Sequence, residues 1–124
     1  MKNSLAVIVP FFNEEGTIES SLRRLMKVDI VQQIICVDDC SKDKSLEIVK
    51  QIKKDDTRIE IILNKVNSGK GSAITSAKKY VNTSHVVIHD ADLEYFPEDL
   101  VAMWEKVEKF TDSLILGSRF LGRK

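Results

Sequence analysis

Two aspartates, Asp90 and Asp92, follow directly on the apolar run from Val86 to Ile88 and its His89. In extended chain, residues i and i+2 project on the same face. The two carboxylates then lie about 5 Å apart and repel by about 3 kcal/mol at an effective dielectric near 20. A divalent cation offsets that cost, and hard oxygen donors suit magnesium or manganese. Glu94, two residues further on, adds a third candidate ligand. A metal on Asp90, Asp92 and Glu94 would bridge the phosphates of a nucleotide and stabilise charge on a departing diphosphate. The plainer alternative is that one Asp caps the following turn and the other is solvated.

Other polar groups follow other apolar runs. Asp38-Asp39 comes directly after Ile34 to Val37. A carboxylate there can accept from a nucleobase N–H or a ribose hydroxyl, or can serve only as a turn residue ahead of a helix near Ser45, as Asp43 or Ser41 would. Gly69-Lys70-Gly71 opens a helical stretch, where free backbone N–H groups and Lys70 suit phosphate. The spacing is not that of a P-loop, and glycines that merely allow close helix packing explain it equally well. Arg119 follows the run Leu114 to Leu116, and its fork of donors fits a diphosphate or a surface ion pair. His85 and His89 flank the fourth run and read as satisfied or solvated histidines. Met103 and Trp104 read as core packing, and Lys50, Lys53 and Lys54 as a solvated helix face.

These residues need elements to hold them. Short runs (Leu5 to Val9, Ile34 to Val37, Ile59 to Leu63, Val86 to Ile88, Leu114 to Leu116) read as strands, and the first, continuously apolar and ended by Pro10, reads as one covered on both faces. Between them lie amphipathic stretches. Asn13 and Thr17 are candidate caps for a helix to about Lys27, and the next helix runs from Ser45 to about Lys54. A third covers Gly69 to Tyr80, and Pro97 opens a fourth reaching about Lys109. Alternating strands and helices imply an α/β, Rossmann-like three-layer sandwich with a mostly parallel sheet. Right-handed crossovers put every strand's C-terminal end on one side, where such sheets bind ligands. All five polar clusters therefore converge on one rim.

The bulk properties narrow the rest. The 124 residues suffice for one domain. Nineteen Lys and Arg balance nineteen Asp and Glu, so no global field favours nucleic acid, and any anion must be held locally. The two cysteines, Cys36 and Cys40, have neither the spacing nor the companions of a zinc or redox motif and read as free thiols in a reducing cytoplasm. No signal peptide or run of about 20 apolar residues is present. The expected location is cytoplasmic, at most against the cytoplasmic face of a membrane.

The clusters, in this order, resemble the family-two glycosyltransferases of the GT-A fold, nearest to the branch of dolichyl-phosphate mannose synthases and polyprenyl-phosphate sugar transferases. Pro10-Phe11-Phe12-Asn13-Glu14 is similar to that family's Pro-x-Tyr-Asn-Glu, with Phe12 in the tyrosine place. The resemblance implies that Pro10, Phe12 and Glu14 line a nucleoside pocket. Val37-Asp38-Asp39-Cys40-Ser41 resembles Val-Asp-Asp-Gly-Ser and implies base and ribose contacts from Val37 and Asp39. Cys40 replaces a glycine, so a positive φ there would bring strain. Asn67 to Gly71 resembles the Asn-x-Gly-Lys-Gly segment. In Asp90-Ala91-Asp92-Leu93-Glu94-Tyr95 the resemblance implies nucleotide contacts from Asp90 and Ala91 and metal ligation by Asp92. Gly117-Ser118-Arg119-Phe120 resembles the phosphate-side arginine motif.

The implied activity is inverting transfer of a sugar from a nucleoside-diphosphate sugar to a polyprenyl phosphate or a saccharide, with a divalent cation as cofactor. Family members continue for about another hundred residues, which supply acceptor binding and the usual base. The expectation is a nucleotide-sugar-binding part, residues 1–124, that binds donor and transfers poorly, with no catalytic base in this chain and a homo-oligomer at the uncovered edge as one outcome. A non-catalytic nucleotide-binding or oligomerising module is the main alternative. A receiver domain would need its acidic pair after the first strand, and a sugar-phosphate nucleotidyltransferase a glycine-rich basic loop there. Neither feature is present.

Overall fold

The computed structural model describes residues 4–66, 69–89, 104 and 115–117. Five strands form one sheet: β1 (Leu5–Phe11), β2 (Val31–Asp38), β3 (Ile59–Leu63), β4 (His85–Ile88) and β5 (Ile115–Gly117). Their order is β3-β2-β1-β4-β5, and every pairing is parallel. Three described helices connect them: α1 (Ile18–Met26), α2 (Ser45–Lys53) and α3 (Lys70–Lys78). Trp104 is helical and buried, as the sequence implied for a core position. The α/β architecture with a parallel sheet is therefore as expected.

Each layer follows from side-chain alternation. Leu5, Val7, Val9 and Phe11 point to the face covered by α1 and α2, joining Ile18, Leu22, Leu25, Val49 and Ile52 in one core. Ala6 and Ile8 point the other way, with Ile35 and Val37, onto Ala73 and Ala77 of α3. Every residue of β1 is buried, which is why that run reads as uninterrupted apolar sequence. Trp104 belongs to the first core and meets the ring of His85 edge-on at 5.3 Å. His85 and His89 are both buried, His85 with Nδ1 2.8 Å from the Ser84 hydroxyl, so neither is solvated.

Several boundaries differ from the sequence reading. β1 continues through Pro10 to Phe11. The Phe11 carbonyl accepts from Asp39 N–H on the β2 side and the Ile8 carbonyl from His89 N–H on the β4 side. By alternation, the missing N–H of Pro10 faces β4, whose pairing with β1 ends at Ile8↔Ile88. β2 begins at Val31, ahead of Ile34, because Gln33 is buried with its amide satisfied across the fold by Glu60, Tyr80 and Asn82. α3 stops at Lys78. The predicted helix from Pro97 to Lys109 lies outside the described residues except at Trp104.

Candidate functional site

Connections run from β1 through β2 to β3 on one side of β1, and to β4 and β5 on the other. The order reverses between β1 and β4, the place where open α/β sheets bind ligands at the strands' C-terminal ends. β1 and β2 reach the rim together, with Pro10 opposite Val37 and Phe11 opposite Asp38. β4 stops lower, its Ile88 level with Ile8. The sheet thus presents a ledge at its switch point, with Val9, Pro10 and Phe11 standing above the end of β4.

Two loops crown the ledge and are laced together by hydrogen bonds. Asn13 N–H donates to Ser41 Oγ at 3.0 Å, Glu14 N–H to Ser45 Oγ at 2.7 Å, and Glu15 N–H to Asp43 Oδ2 at 3.1 Å. In return, Asn13 Oδ1 accepts from Lys42 N–H at 2.7 Å and Asp43 N–H at 3.3 Å, and Glu15 Oε1 from Lys44 N–H at 2.9 Å. Asp43 Oδ1 also accepts from Ser45 N–H at the start of α2. Burial alone would raise the Asp43 carboxyl, but its bonds from Ser45 and Glu15 outweigh that and hold it below the ordinary carboxylate range.

This lacing changes the capping assignments. Thr17 occupies the position before α1, yet its hydroxyl donates to Glu14 Oε1 at 3.2 Å and makes no cap bond. Asn13 caps nothing in its own helix; its side chain serves the opposite loop. Both loops turn through left-handed backbone, at Asn13 (φ 54) and Cys40 (φ 70). Asn tolerates that region, whereas Cys40 carries the strain that a glycine at this position would avoid. Both cysteines are free thiols; Cys36 is fully buried, and burial pushes its pKa up to about 12.

The aspartate pair after β2 is buried, each residue 4% exposed. Asp38 Oδ1 accepts from Ser41 N–H at 2.8 Å, a turn bond of the kind the plainer reading allowed. Asp39 reaches the other way: Oδ1 accepts from Asn64 Nδ2 at 3.0 Å and Oδ2 from Gly69 N–H at 2.9 Å. It therefore ties the end of β2 to the segment between β3 and α3. Gly69, at φ 89 and ψ 165, holds a conformation open only to glycine and sits immediately before α3. A Cβ at Gly69 or Gly71 would meet no heavy atom within 4 Å, so close helix packing explains neither.

Of the residues singled out from sequence, the structure brings together Pro10, Phe12, Glu14, Val37 and Asp39 at the ends of β1 and β2, with Lys70 as the first residue of α3. Phe12 is 39% exposed on the rim and Glu14 half-buried. Pro10 is buried, and the Val37 side chain lies in the core beneath α3. Asp90, Ala91, Asp92, Glu94 and Arg119 lie outside the described residues. Among the described residues, no group of three His, Cys, Asp or Glu side chains could hold a metal ion, and no helix is long and apolar enough to cross a membrane. Sequence reasoning missed the bridging roles of Asn13, Ser41, Ser45 and Asn64. The only local signal was an asparagine, a residue enriched in left-handed backbone, directly after a strand.

The family model of glycosyl transferase family 2 matches residues 6–123. The chain belongs to that family. Among curated relatives of this family-2 chain, the undecaprenyl-phosphate 4-deoxy-4-formamido-L-arabinose transferase of Photorhabdus laumondii is 32% identical over 126 residues, covering 97% of the chain and 38% of that protein. Among solved structures, S. aureus TarS 1-349 in complex with UDP-GlcNAc superposes with a TM-score of 0.75 at 28% identity, over 86% of this chain and 31% of that one. The mannosyltransferase PcManGT from Pyrobaculum calidifontis, in complex with GDP-Man and Mn2+, gives 0.69 at 26% identity, over 74% and 28%. The fold is thus that of GT-A glycosyltransferases. The family-2 chain spans about a third to a half of the length of the curated relatives it matches.

Proposed function

We propose that residues 1–124 form the donor half of an inverting glycosyltransferase and bind a nucleoside-diphosphate sugar on the ledge between β1 and β4. The observation that carries the reading is the junction of three motif segments beside it, at the C-terminal ends of β1 and β2. The loops after β1 and β2 are laced to each other, and Asp39 ties both to the start of α3. In this reading Phe12 offers its exposed ring to the base, with Pro10 and Val37 shaping the floor beneath it. Glu14 and Asp39 accept from base N–H or ribose hydroxyl groups. Lys70 and Arg119 face the diphosphate, Lys70 beside the free N–H groups that begin α3.

The carboxylates of Asp90, Asp92 and Glu94 make an all-oxygen donor set, the kind that suits Mg2+ or Mn2+. Asp90 directly follows His89, whose N–H donates to Ile8 O where β1 and β4 part. When bound, the cation would neutralise charge on the diphosphate as it leaves. PcManGT, solved with GDP-Man and Mn2+, and TarS, solved with UDP-GlcNAc, support both the donor class and the metal. The acceptor is a polyprenyl phosphate or a saccharide, by analogy with the undecaprenyl-phosphate transferase. A lipid acceptor would bring the rim to the cytoplasmic face of a membrane. Acceptor binding and the base belong to segments beyond these residues, so the chain by itself binds donor and transfers little.

A thermal-shift series with UDP and GDP, with and without Mn2+, on the chain and on Asp92→Asn tests this. A ligand at a hundred times its Kd adds about 2.7 kcal/mol of stability. A metal-dependent shift that Asp92→Asn abolishes is expected; absence of any shift with either nucleotide rejects the donor site.

A further inference from the structure

Asn13 is exposed, yet three hydrogen bonds converge on it from the loop after β2. Its N–H donates to Ser41 Oγ, and its Oδ1 accepts from the consecutive amides of Lys42 and Asp43. Exposed bonds of this kind exchange with water at little net gain, so folding stability gives a weak reason for them. Their geometric effect is large. Asn13 follows Phe12 directly, precedes Glu14 directly, and turns the chain at φ 54. The amides it holds lie on the loop that leaves Asp38 and Asp39. The neighbouring Glu14–Ser45 and Glu15–Asp43 bonds continue the same seam.

We propose that Asn13 is a positioning residue for nucleoside recognition. It fixes the segment that carries Phe12 and Glu14, its two chain neighbours, against the loop that leaves Asp39 before a nucleoside arrives. The inference rests on the donor-site reading above and adds to it. Preorganisation of this kind acts on affinity, because a misplaced recognition group loses much of its contribution. It concerns only the nucleoside end of the ligand. Inorganic pyrophosphate, which has no nucleoside, should not sense it.

The side chain contributes only an acceptor, and its backbone only a left-handed turn. Asn13→Asp keeps both; Asn13→Gly keeps the turn and loses the acceptor. Isothermal titration of the full chain with UDP, GDP and pyrophosphate, each with Mn2+, separates these contributions. Asn13→Gly should weaken the nucleoside diphosphate that the chain binds by about tenfold, the effect of one effective hydrogen bond, while leaving pyrophosphate unchanged. Asn13→Asp should stay within about twofold of the unaltered chain. Should Asn13→Gly fail to fold, Ser41→Ala removes the partner of the Asn13 N–H and should show the same selective loss at about threefold. The proposal is overturned if nucleotide affinity is unchanged in Asn13→Gly and Ser41→Ala, if pyrophosphate falls in parallel, or if Asn13→Asp is as weak as Asn13→Gly. An unaltered chain that binds no nucleotide overturns the donor-site reading and this inference together; one that binds while the variants match it overturns this inference alone.

Discussion

Removing the Arg58 side chain should destabilise the protein without touching the rim. Arg58 precedes β3, at the end of the sheet opposite the strands' C-termini. Its guanidinium donates to three main-chain carbonyls from the end of α1 to the start of β2: Met26 O at 2.6 Å, Val31 O at 2.7 Å and Val28 O at 3.1 Å. It also pairs with Asp56 Oδ2 at 2.8 Å. A hydrogen bond from a charged donor contributes about 1.5–3 kcal/mol. The Arg58 side chain is 23% exposed, so water can replace part of what is lost. Three carbonyl bonds so discounted give a loss of about 3 kcal/mol for Arg58→Ala, or roughly 10 °C in Tm for a chain of this length. Arg58→Lys keeps one point charge near Asp56 but lacks the fork, and should lose about half as much. Urea denaturation at pH 7 measures both, with the slope unchanged. The pH dependence adds a second check. Arg58 holds the Asp56 carboxyl below its ordinary value, so the pair contributes stability above the ordinary carboxylate range and loses it as pH falls through the depressed value. The gap between the unaltered chain and Arg58→Ala should therefore narrow in acid. A loss below about 1 kcal/mol, or a lysine variant equal to arginine, would refute the assignment of Arg58 as the tie between these turns.

Other outcomes follow from single residues. At Cys40, glycine should be more stable than alanine by about 1 kcal/mol, the reverse of the ordinary order, because φ is 70 there; thermal unfolding of Cys40→Gly and Cys40→Ala decides it, and an alanine variant at least as stable would contradict the strain. Iodoacetamide at pH 8 should label the native chain once, at Cys40, and twice after unfolding, since Cys36 is fully buried with its pKa pushed up to about 12. Native labelling at Cys36, seen by mass spectrometry, would be inconsistent with its packing. Gln33→Leu should cost about 2 kcal/mol in urea denaturation, because Asn82 N–H and Tyr80 O lose their buried partner; a neutral result would place those groups in water.

Most of the fold was legible because the sheet is covered on both faces. Runs such as Leu5 to Val9 and Ile34 to Val37 then stand out as continuous apolar stretches, and Ile18, Leu22 and Leu25 mark one face of a helix. What stayed hidden depended on distant partners. Gln33 belongs to a strand because Glu60, Tyr80 and Asn82 satisfy it, and no local pattern contains that information. Pro10 sits inside β1 because β4 has already ended beside it. At the rim, the meeting of the polar segments after β1 and β2 was legible, since a parallel sheet must deliver them to one side. The division of labour within them was not. Asn13 read as a helix cap by position, and only the packing of two loops reveals that its acceptor is used across the gap. Asp39 read as a nucleoside acceptor, while its hold on Asn64 and Gly69 spans a separation that sequence spacing cannot express.

The central place of β1 bears on the order in which the molecule is assembled during synthesis. Its β2 side pairs with residues only about thirty positions later, and the lacing of Asn13 to Ser41 and Asp43 needs nothing beyond Ser45. Its β4 side waits for His85, whose N–H donates to the carbonyl of Ser4 at the far end of a much longer loop. Closing the longer loop costs more chain entropy and comes later. As the chain leaves the ribosome, the pairing of β1 with β2 and the lacing of their two loops can form while the other edge of β1 still stands open. That open edge is an apolar, unpaired strand, and it is the surface that needs shielding until β4 emerges.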